Sequence, residues 1–215
     1  MPGAVTAVNP PPATTAPPSP RLRRGREDVL TAATALFRER GYDATSMSDI
    51  AARLGFTKAA LYRHVTGKAE LLRAITGPVR ADVRALLAAS AAGTGRPVDE
   101  LTGLLRGLAG AAAVGPGRYA LFWGPDGEPG PPAPDAVCRD EVVRRLADLY
   151  ERAVAQGDVR GGIAPRLAAR LLVGAIVGAA VEPGGPGDGA GPPPSPAAVD
   201  VLLDGPVRFL TGGRA

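Results

Sequence analysis

Helical periodicity dominates the hydrophobic pattern of this chain. In the first predicted helix, Val29, Ala33, Leu36 and Phe37 recur three or four positions apart and form one apolar stripe. No segment shows the alternation that is typical of a β-strand, because β-branched and aromatic residues never fall at every second position. The pattern therefore predicts an all-α fold.

Proline- and glycine-rich segments divide the helical pattern. Residues 1–20 contain seven prolines and no charged side chain, which predicts a disordered Pro-rich tail. The runs 124–134 and 183–196 are too rich in Gly and Pro to lie inside helices. We therefore predict two folded units after the tail, a small helical one over 21–76 and a larger helical one over 77–215.

In the larger unit we expect the helix that begins near Lys68 to bend or restart at Gly77-Pro78. Asp135 is expected to cap a later helix that Gly157 closes. The further predicted helices are 98–114, an aromatic segment at 118–123, 135–156, 165–181 and a last helix over 197–210 with a kink at Gly205-Pro206. Residues 167–181 are apolar nearly all round, which predicts burial of that whole segment.

Charge is unevenly distributed. The chain carries a net charge of +4, but residues 21–80 hold 12 basic and 6 acidic side chains, while the remainder is mildly acidic. This asymmetry favours a polyanion as the partner of the N-terminal unit.

Composition excludes several classes of site. The chain has one Cys and one His, so a disulfide framework and any multi-Cys or multi-His metal site are impossible. Cys138 lacks a nearby His to activate it, and adjacent Asp140-Glu141 point apart on a helix. No apolar run reaches the ~20 residues needed to cross a bilayer. We expect a cytoplasmic protein that is not an enzyme and binds no metal or cofactor.

A helix-turn-helix is predicted within 47–64. Ser46 has the spacing of an N-cap with Asp49, and the helix 47–54 ends at Gly55, which permits a tight turn. A second helix, 58–64, begins after the cap candidate Thr57. In this motif the second helix enters the major groove of DNA.

The second helix presents its N-terminal residues to base edges. The candidates for this contact are Thr57, Lys58, Ala59 and Ala60. Of these, only Lys58 donates strongly to guanine, while the alanine methyls suit thymine methyls. Candidates for phosphate contact, where the helix leaves the groove, are Tyr62, His64 and Lys68.

The run from Gly41 to Leu72 (GYDATSMSDIAARLGFTKAALYRHVTGKAELL) resembles the DNA-binding domain of TetR-family transcriptional regulators. The resemblance implies an N-terminal three-helix DNA-binding domain followed by a helical ligand-binding and dimerisation domain. It places Lys58, Ala59 and Ala60 at base-facing positions. It adds Thr45 and Ser46 to the backbone-contacting positions Tyr62, His64 and Lys68, and it adds Ser48 as a position that sometimes reaches a base.

The resemblance also implies a homodimer that binds a palindromic operator and a small ligand that releases it. Family members usually pair through their last two long helices, here 165–181 and 197–210. Small residues four positions apart let helices approach closely, and the candidate interface residues are Leu171, Gly174, Ala175 and Gly178. Burial of this helix inside its own domain is the alternative.

The densest aromatic cluster is the candidate lining of an apolar ligand pocket. Its members are Tyr119, Phe122 and Trp123. Simple core packing is the alternative for these side chains, and residues 124–134 are interpreted as a lid or as disorder.

Three further alternatives remain open. Arg23, Arg24 and Arg26 form either a solvated face or an arm that reaches a minor groove. The whole chain is alternatively a helical interaction module without sequence-specific DNA binding, or a small helical enzyme. A ligand-released repressor is the favoured function.

Overall fold

The computed structural model describes residues 20–124 and 134–181, and all regular structure within these ranges is helical. The predicted last helix over 197–210, the tail and most of the loop 124–134 lie outside the described residues. The helices are α1 (Pro20–Arg40), α2 (Met47–Leu54), α3 (Lys58–Leu61), α4 (Lys68–Ala91), α5 (Pro97–Val114), α6 (Pro116–Phe122), α7 (Pro134–Ala155) and α8 (Pro165–Val181).

The first three helices and the start of α4 enclose a core of their own, and we call residues 20–75 the head. The predicted stripe of α1 is fully buried here. It packs against the inward faces of α2, α3 and α4, which bury, among others, Ile50, Leu61, Leu71 and Ile75. Each short helix therefore depends on apolar contacts with its neighbours, since an isolated helix of this length is marginal in water.

A second core lies among α4 to α8, and we call this part the bundle. Its largest fully buried side chains include Tyr119, Tyr150, Phe122, Leu105 and Leu146. The most extensive helix–helix contacts of the bundle are those of α7 with α8 and of α5 with α7. Of the helices in the described part of the chain, none combines the length and apolarity that a bilayer crossing requires.

Helix α4 belongs to both cores. Its residues Leu71 and Ile75 are buried in the head, whereas Val79 and Val83 are buried in the bundle. The change of core along α4 lies between Ile75 and Val79. The helix nevertheless runs unbroken through Pro78, so the predicted restart at Gly77-Pro78 is wrong.

A buried polar cluster fixes α4 to α7 where the cores meet. Asp135 is 8% exposed. Its carboxylate accepts a hydrogen bond of 2.7 Å from the Thr76 hydroxyl and forms an ion pair with Arg80. The expectation that Asp135 caps its own helix is wrong, because α7 already begins at Pro134 and the carboxylate is directed to α4. Removing one partner of such a cluster leaves a poorly solvated charge.

Two further expectations need correction. Regular α3 ends at Leu61, and residues 62–64 follow as turns rather than as the predicted helix to His64. Helix α8 is buried on only one side, since Leu167 and Leu171 are 52% and 56% exposed. Arg166 and Arg170 are exposed on this same side, and they are the polar residues in the sequence that mark it.

Candidate DNA-binding surface

The turn between α2 and α3 is built from backbone hydrogen bonds. Gly55 adopts the left-handed conformation (φ 66°), which a residue with a side chain adopts only at an energetic cost. The Phe56 N–H then donates to the Ala51 carbonyl at 2.9 Å, and the Gly55 N–H to the Ala52 carbonyl at 3.2 Å. This glycine sets the angle at which α3 leaves α2.

A complete capping box fixes the start of α2. The Ser46 Oγ accepts a hydrogen bond from the Asp49 N–H at 3.2 Å, and the Asp49 carboxylate accepts one from the Ser46 N–H at 2.8 Å. The Ser46 hydroxyl also donates to Asp49 Oδ2 at 2.5 Å. These contacts, led by the Ser46 side chain, lower the pKa of Asp49. The Ser46 proton is thus already donated within the head.

Helix α3 turns one face inward and one outward. Leu61 and Val65 are buried at 0% and 3% exposure, which anchors the inner face. The Thr57 hydroxyl caps the helix by accepting the Ala60 N–H at 3.1 Å. We call the opposite side the α3 outer face, and its exposed members are Thr57, Lys58, Ala59, Tyr62 and Arg63.

The α3 outer face suits a duplex. Lys58 and Ala59 stand exposed at its N-terminal end, and Tyr62 is 44% exposed one turn later. The small Ala59 side chain allows the helix backbone to come close to base edges. Ala60 is half-buried at the border of this face, and Ser48 is exposed on α2.

Thr45 does not belong to the exposed surface. Its side chain is 1% exposed, and its hydroxyl is shared between the Gly41 carbonyl at 2.8 Å and the Leu36 carbonyl at 3.2 Å. Both acceptors lie at or just beyond the C-terminal end of α1, which otherwise leaves carbonyls unsatisfied. The expectation of a Thr45 side-chain contact to DNA is therefore wrong.

Lys68 is engaged within the head. Its Nζ donates to the Tyr42 carbonyl at 2.8 Å and to the Asp43 carbonyl at 3.3 Å. It also lies 4.3 Å from the centroid of the Tyr42 ring, a cation–π distance. Lys68 thereby ties the first turn of α4 to the turn between α1 and α2.

His64 and Arg26 form another contact between elements of the head. The half-buried His64 ring stacks on Phe56 with centroids 6.3 Å apart, and the His64 carbonyl accepts a hydrogen bond from Arg26 at 2.5 Å. Arg26 also pairs with Glu70 at 3.0 Å. Glu70 in turn accepts the Thr66 N–H at 2.6 Å, and this contact is the main cause that lowers the pKa of Glu70.

Sequence reasoning missed Arg63, which the structure places on the α3 outer face. The signal was present, because Arg63 follows Ala59 by four positions and so shares its side of a helix. Helical periodicity applied to exposed positions, rather than only to apolar ones, would have found it.

The aromatic candidates of the bundle occupy two environments. Tyr119 and Phe122 are fully buried core residues, whereas Trp123 is half-buried and lines a surface cavity of about 400 Å³. The other lining residues come from α7 and α8: Arg139, Asp140, Val143, Arg170, Val173, Gly174 and Val177.

Two polar atoms of this aromatic cluster are buried without a hydrogen bond of good geometry to any described residue. The Tyr119 hydroxyl and the Trp123 indole nitrogen are buried without a partner of hydrogen-bonding geometry among the described residues. Burial raises the pKa of Tyr119, an effect that neighbouring Trp123 only partly opposes. The phenol therefore stays protonated, and both groups are donors.

The outward side of α8 holds all four candidate interface residues. Leu171, Gly174, Ala175 and Gly178 are exposed, while Leu172 and Ile176 on the opposite side are buried. We call the exposed stripe the α8 outer face. A Cβ placed on Gly174 or Gly178 would meet no other atom of the chain within 4 Å, so nothing within the described residues requires glycine at either position.

Comparison with known proteins decides the family. Residues 29–75 match the model of bacterial regulatory proteins of the tetR family. SCO3833 from Streptomyces coelicolor A3, a member of the TetR transcriptional regulator family, is 30% identical in sequence to this chain. Its crystal structure superposes on this chain with a TM-score of 0.69. The match covers 87% of this chain and 90% of that one. This chain belongs to the TetR family.

Two other similar proteins are informative. A gamma-butyrolactone receptor (ArpA-like protein) is 30% identical over 73% of this chain and 82% of its own, with a TM-score of 0.55. The transcriptional activator FasR of Mycolicibacterium smegmatis is 45% identical over 53 residues, which are 25% of this chain and 23% of FasR. The curated relatives are matched over less than two thirds of their own length.

Proposed function

We propose that this chain is a DNA-binding transcriptional regulator that binds a palindromic operator as a homodimer and is released by a small ligand. The observation that carries the proposal is the α3 outer face, an exposed helix side with Lys58 and Ala59 at its N-terminal end. We propose that it acts in the cytoplasm and has no enzymatic activity of its own.

The base-facing set in this proposal comprises Thr57, Lys58, Ala59 and Ala60, with Ser48 beside them on α2. Lys58 has no partner among the described side chains, so its ammonium group is available to guanine O6 and N7. The alanine methyls suit the methyl group of thymine. Tyr62 is the neighbouring phosphate donor, and its contact positions the helix without reading sequence.

Dimerisation through the α8 outer face supplies the second head. One short recognition helix buries little surface, whereas two heads spaced by a helical turn of about 34 Å, or a multiple, bind a palindrome together. Exposed Leu171 beside Gly174 and Gly178 gives an apolar stripe with room for a close helix. This geometry supports the stripe as the interface between two copies.

For the ligand we propose an apolar molecule with a hydrogen-bond acceptor. The cavity at Trp123 is walled by valines and flanked by Arg139 and Arg170. Trp123 lines this cavity, and its indole N–H has no acceptor of good geometry among the described residues. The similarity to a gamma-butyrolactone receptor supports a ligand of this kind. Phe122 packs in the bundle core and does not line the cavity.

Release follows from a difference in affinity between two conformations. A ligand that prefers the conformation with the wrong head spacing lowers the affinity for the operator. The ratio of its own affinities for the two conformations sets how far the operator affinity can fall. Helix α4, shared by both cores and fixed to α7 through Asp135, is the element that links the cavity region to the head. We propose repression as the sign of regulation, although the FasR match is to an activator.

The test is selection of duplexes from a random pool by the purified chain, followed by gel shift and sedimentation of the complex. We expect a palindromic consensus, two chains per duplex and weakening with salt from about 50 to about 200 mM. Selection of no consensus, with equal binding to every duplex, would favour an interaction module and contradict the proposal. A reporter driven from the selected site then gives the sign of regulation.

A further inference from the structure

The surface cavity beside Trp123 has an apolar floor and a polar mouth. Its lining residues Val143 and Val173 are buried, whereas its lining residues Asp140 and Arg170 are exposed. Charged groups of α7 and α8 therefore edge the side of the cavity that meets solvent. A cavity of about 400 Å³ has room for a small ligand that places its apolar part on the valines and its polar end at this mouth.

The charges at the mouth of the cavity do not balance. Of the described residues that line it, Asp140 is the only acidic one. Its carboxylate is held by Arg166 at 2.7 Å and by Arg144 at 3.0 Å, and neither arginine lines the cavity. The hydrogen bond from Arg166, supported by Arg144, lowers the pKa of Asp140, so this carboxylate is ionised and already paired at neutral pH. Asp140 therefore does not offset the charges of Arg139 and Arg170.

The two arginines of the lining differ in what holds them. Arg139 donates a hydrogen bond of 2.6 Å to the Phe122 carbonyl, which fixes its side chain to the end of α6. Arg170 makes no hydrogen bond or ion pair with any described residue. Helix α8 has no acidic residue that could pair with Arg170 one turn away. Arg170 is therefore the lining cation whose donors are available to a bound ligand.

We propose that the cavity binds an apolar organic carboxylate and that Arg170 is the residue that selects the anion. This inference rests on the proposed ligand-binding function, and it narrows the ligand from any hydrogen-bond acceptor to an anionic one. The planar guanidinium matches a carboxylate through two parallel N–H···O bonds. One unpaired arginine suits the single charge of a carboxylate, whereas a doubly charged phosphate ester would need a second free cation.

The charge of the mouth determines which of two otherwise equal ligands binds more tightly. A carboxylate is more strongly hydrated than an amide of the same shape, so a cavity without a cation prefers the amide. Arg170 reverses this preference only through direct contact, since water and salt screen a distant charge. Both ligands bury the same apolar chain. Their affinity ratio therefore reports on the contact with Arg170 and not on the apolar walls.

Octanoate and octanamide are matched probes for the experiment, because they share an apolar chain and differ in charge. Trp123 is the only tryptophan of the chain and lines the cavity, so its fluorescence follows occupancy. We expect the full wild-type chain to bind octanoate about five- to tenfold more tightly than octanamide. Arg170→Ala should remove or reverse this preference and leave octanamide binding unchanged. Arg170→Lys, which keeps the charge but not the planar fork, should retain part of the preference.

Arg160→Ala is the matched control. It removes an exposed arginine that does not line the cavity, and it should leave both affinities unchanged. Equal wild-type affinity for the two probes, or an octanoate preference that survives Arg170→Ala, overturns the inference while the proposed site for an apolar ligand stands. Absence of binding of both probes, by fluorescence and by calorimetry, also overturns the inference. Operator selection by the same protein then tests the proposed regulator separately.

Discussion

The outer faces of α3 and α8 are both exposed and both rich in small side chains, but their flanking residues differ in chemistry. Ala59 on α3 stands between Lys58 and Arg63, whereas Gly174 on α8 stands beside Leu171. Small residues let a helix approach any surface closely. The neighbouring side chains then decide which partner surface is favoured. Cations beside Ala59 favour a phosphate-lined groove, whereas Leu171 beside Gly174 favours an apolar helix.

The two faces also differ in how their backbone is held. Around α3, a left-handed glycine at the end of α2 and the Thr57 cap fix the start of a four-residue helix. Helix α8 runs for 17 residues and depends on apolar contacts with α7 on its buried side. Recognition of bases requires a fixed position, while association of two helices depends mainly on shape and apolar area.

The largest expected effect concerns the α8 outer face. Gly174→Leu adds a side chain where the isolated chain has open space but a dimer has a second helix. We expect a monomer by sedimentation and a loss of operator affinity of about 10²–10⁴-fold, because binding of the second head is no longer intramolecular. Gly103→Leu on α5, where a Cβ also meets no atom, is the matched control and stays dimeric. A dimeric Gly174→Leu protein contradicts this interface.

The buried Asp135 cluster, which fixes α4 to α7 where the head meets the bundle, gives the next largest effect. Asp135→Ala leaves Arg80 without its ion-pair partner, whereas the Thr76 hydroxyl keeps the Leu72 carbonyl as an acceptor. We expect a loss of about 3–5 kcal/mol in the free energy of unfolding. Asp135→Asn keeps an acceptor for Thr76 and should lose less. Equal stability of the alanine variant and wild type in denaturant titrations would show that the cores are joined without this cluster.

On the α3 outer face, Lys58→Ala should reduce discrimination rather than binding in general. We expect the affinity ratio of operator to scrambled duplex to fall by an amount equivalent to about 1–3 kcal/mol. Arg63→Ala is the comparison, since it should leave this ratio unchanged. If Lys58→Ala lowered the affinity for both duplexes by the same factor, Lys58 would contact a phosphate rather than a base.

The smallest effect is electrostatic and depends on pH. The Thr66 N–H, with Arg26, lowers the pKa of Glu70 below its ordinary value of 4.5. The resulting stabilisation is present above that value and is lost as pH falls through the lower pKa of the folded state. Glu70→Gln should therefore be less stable at pH 7 by roughly 0.3–1 kcal/mol, and the difference should disappear as the pH falls below the pKa of Glu70 in the folded state. Parallel stability curves would contradict this role.

The sequence predicted the elements that local chemistry controls. Ser46, Gly55 and Thr57 mark the ends of α2 and the start of α3, because caps and left-handed turns depend on residues close in sequence. The all-helical class and the family resemblance were also confirmed. The assignment of individual DNA contacts, apart from Thr45, stays a prediction.

What the sequence did not show depends on contacts between distant residues. Lys68 meets Tyr42 across 26 positions, and Asp135 meets Thr76 across 59. Spacing along a chain carries no information on such pairings.

Proximity cleavage of the operator tests most directly whether the α3 outer face binds DNA. The native Cys138 is fully buried, so an Ala59→Cys protein is labelled with iron–EDTA at the introduced thiol alone. We expect two cleavage clusters in the major groove, one in each half-site, separated by about 34 Å or a multiple. Cleavage no stronger or more localised than that from a labelled Gly103→Cys control would contradict it.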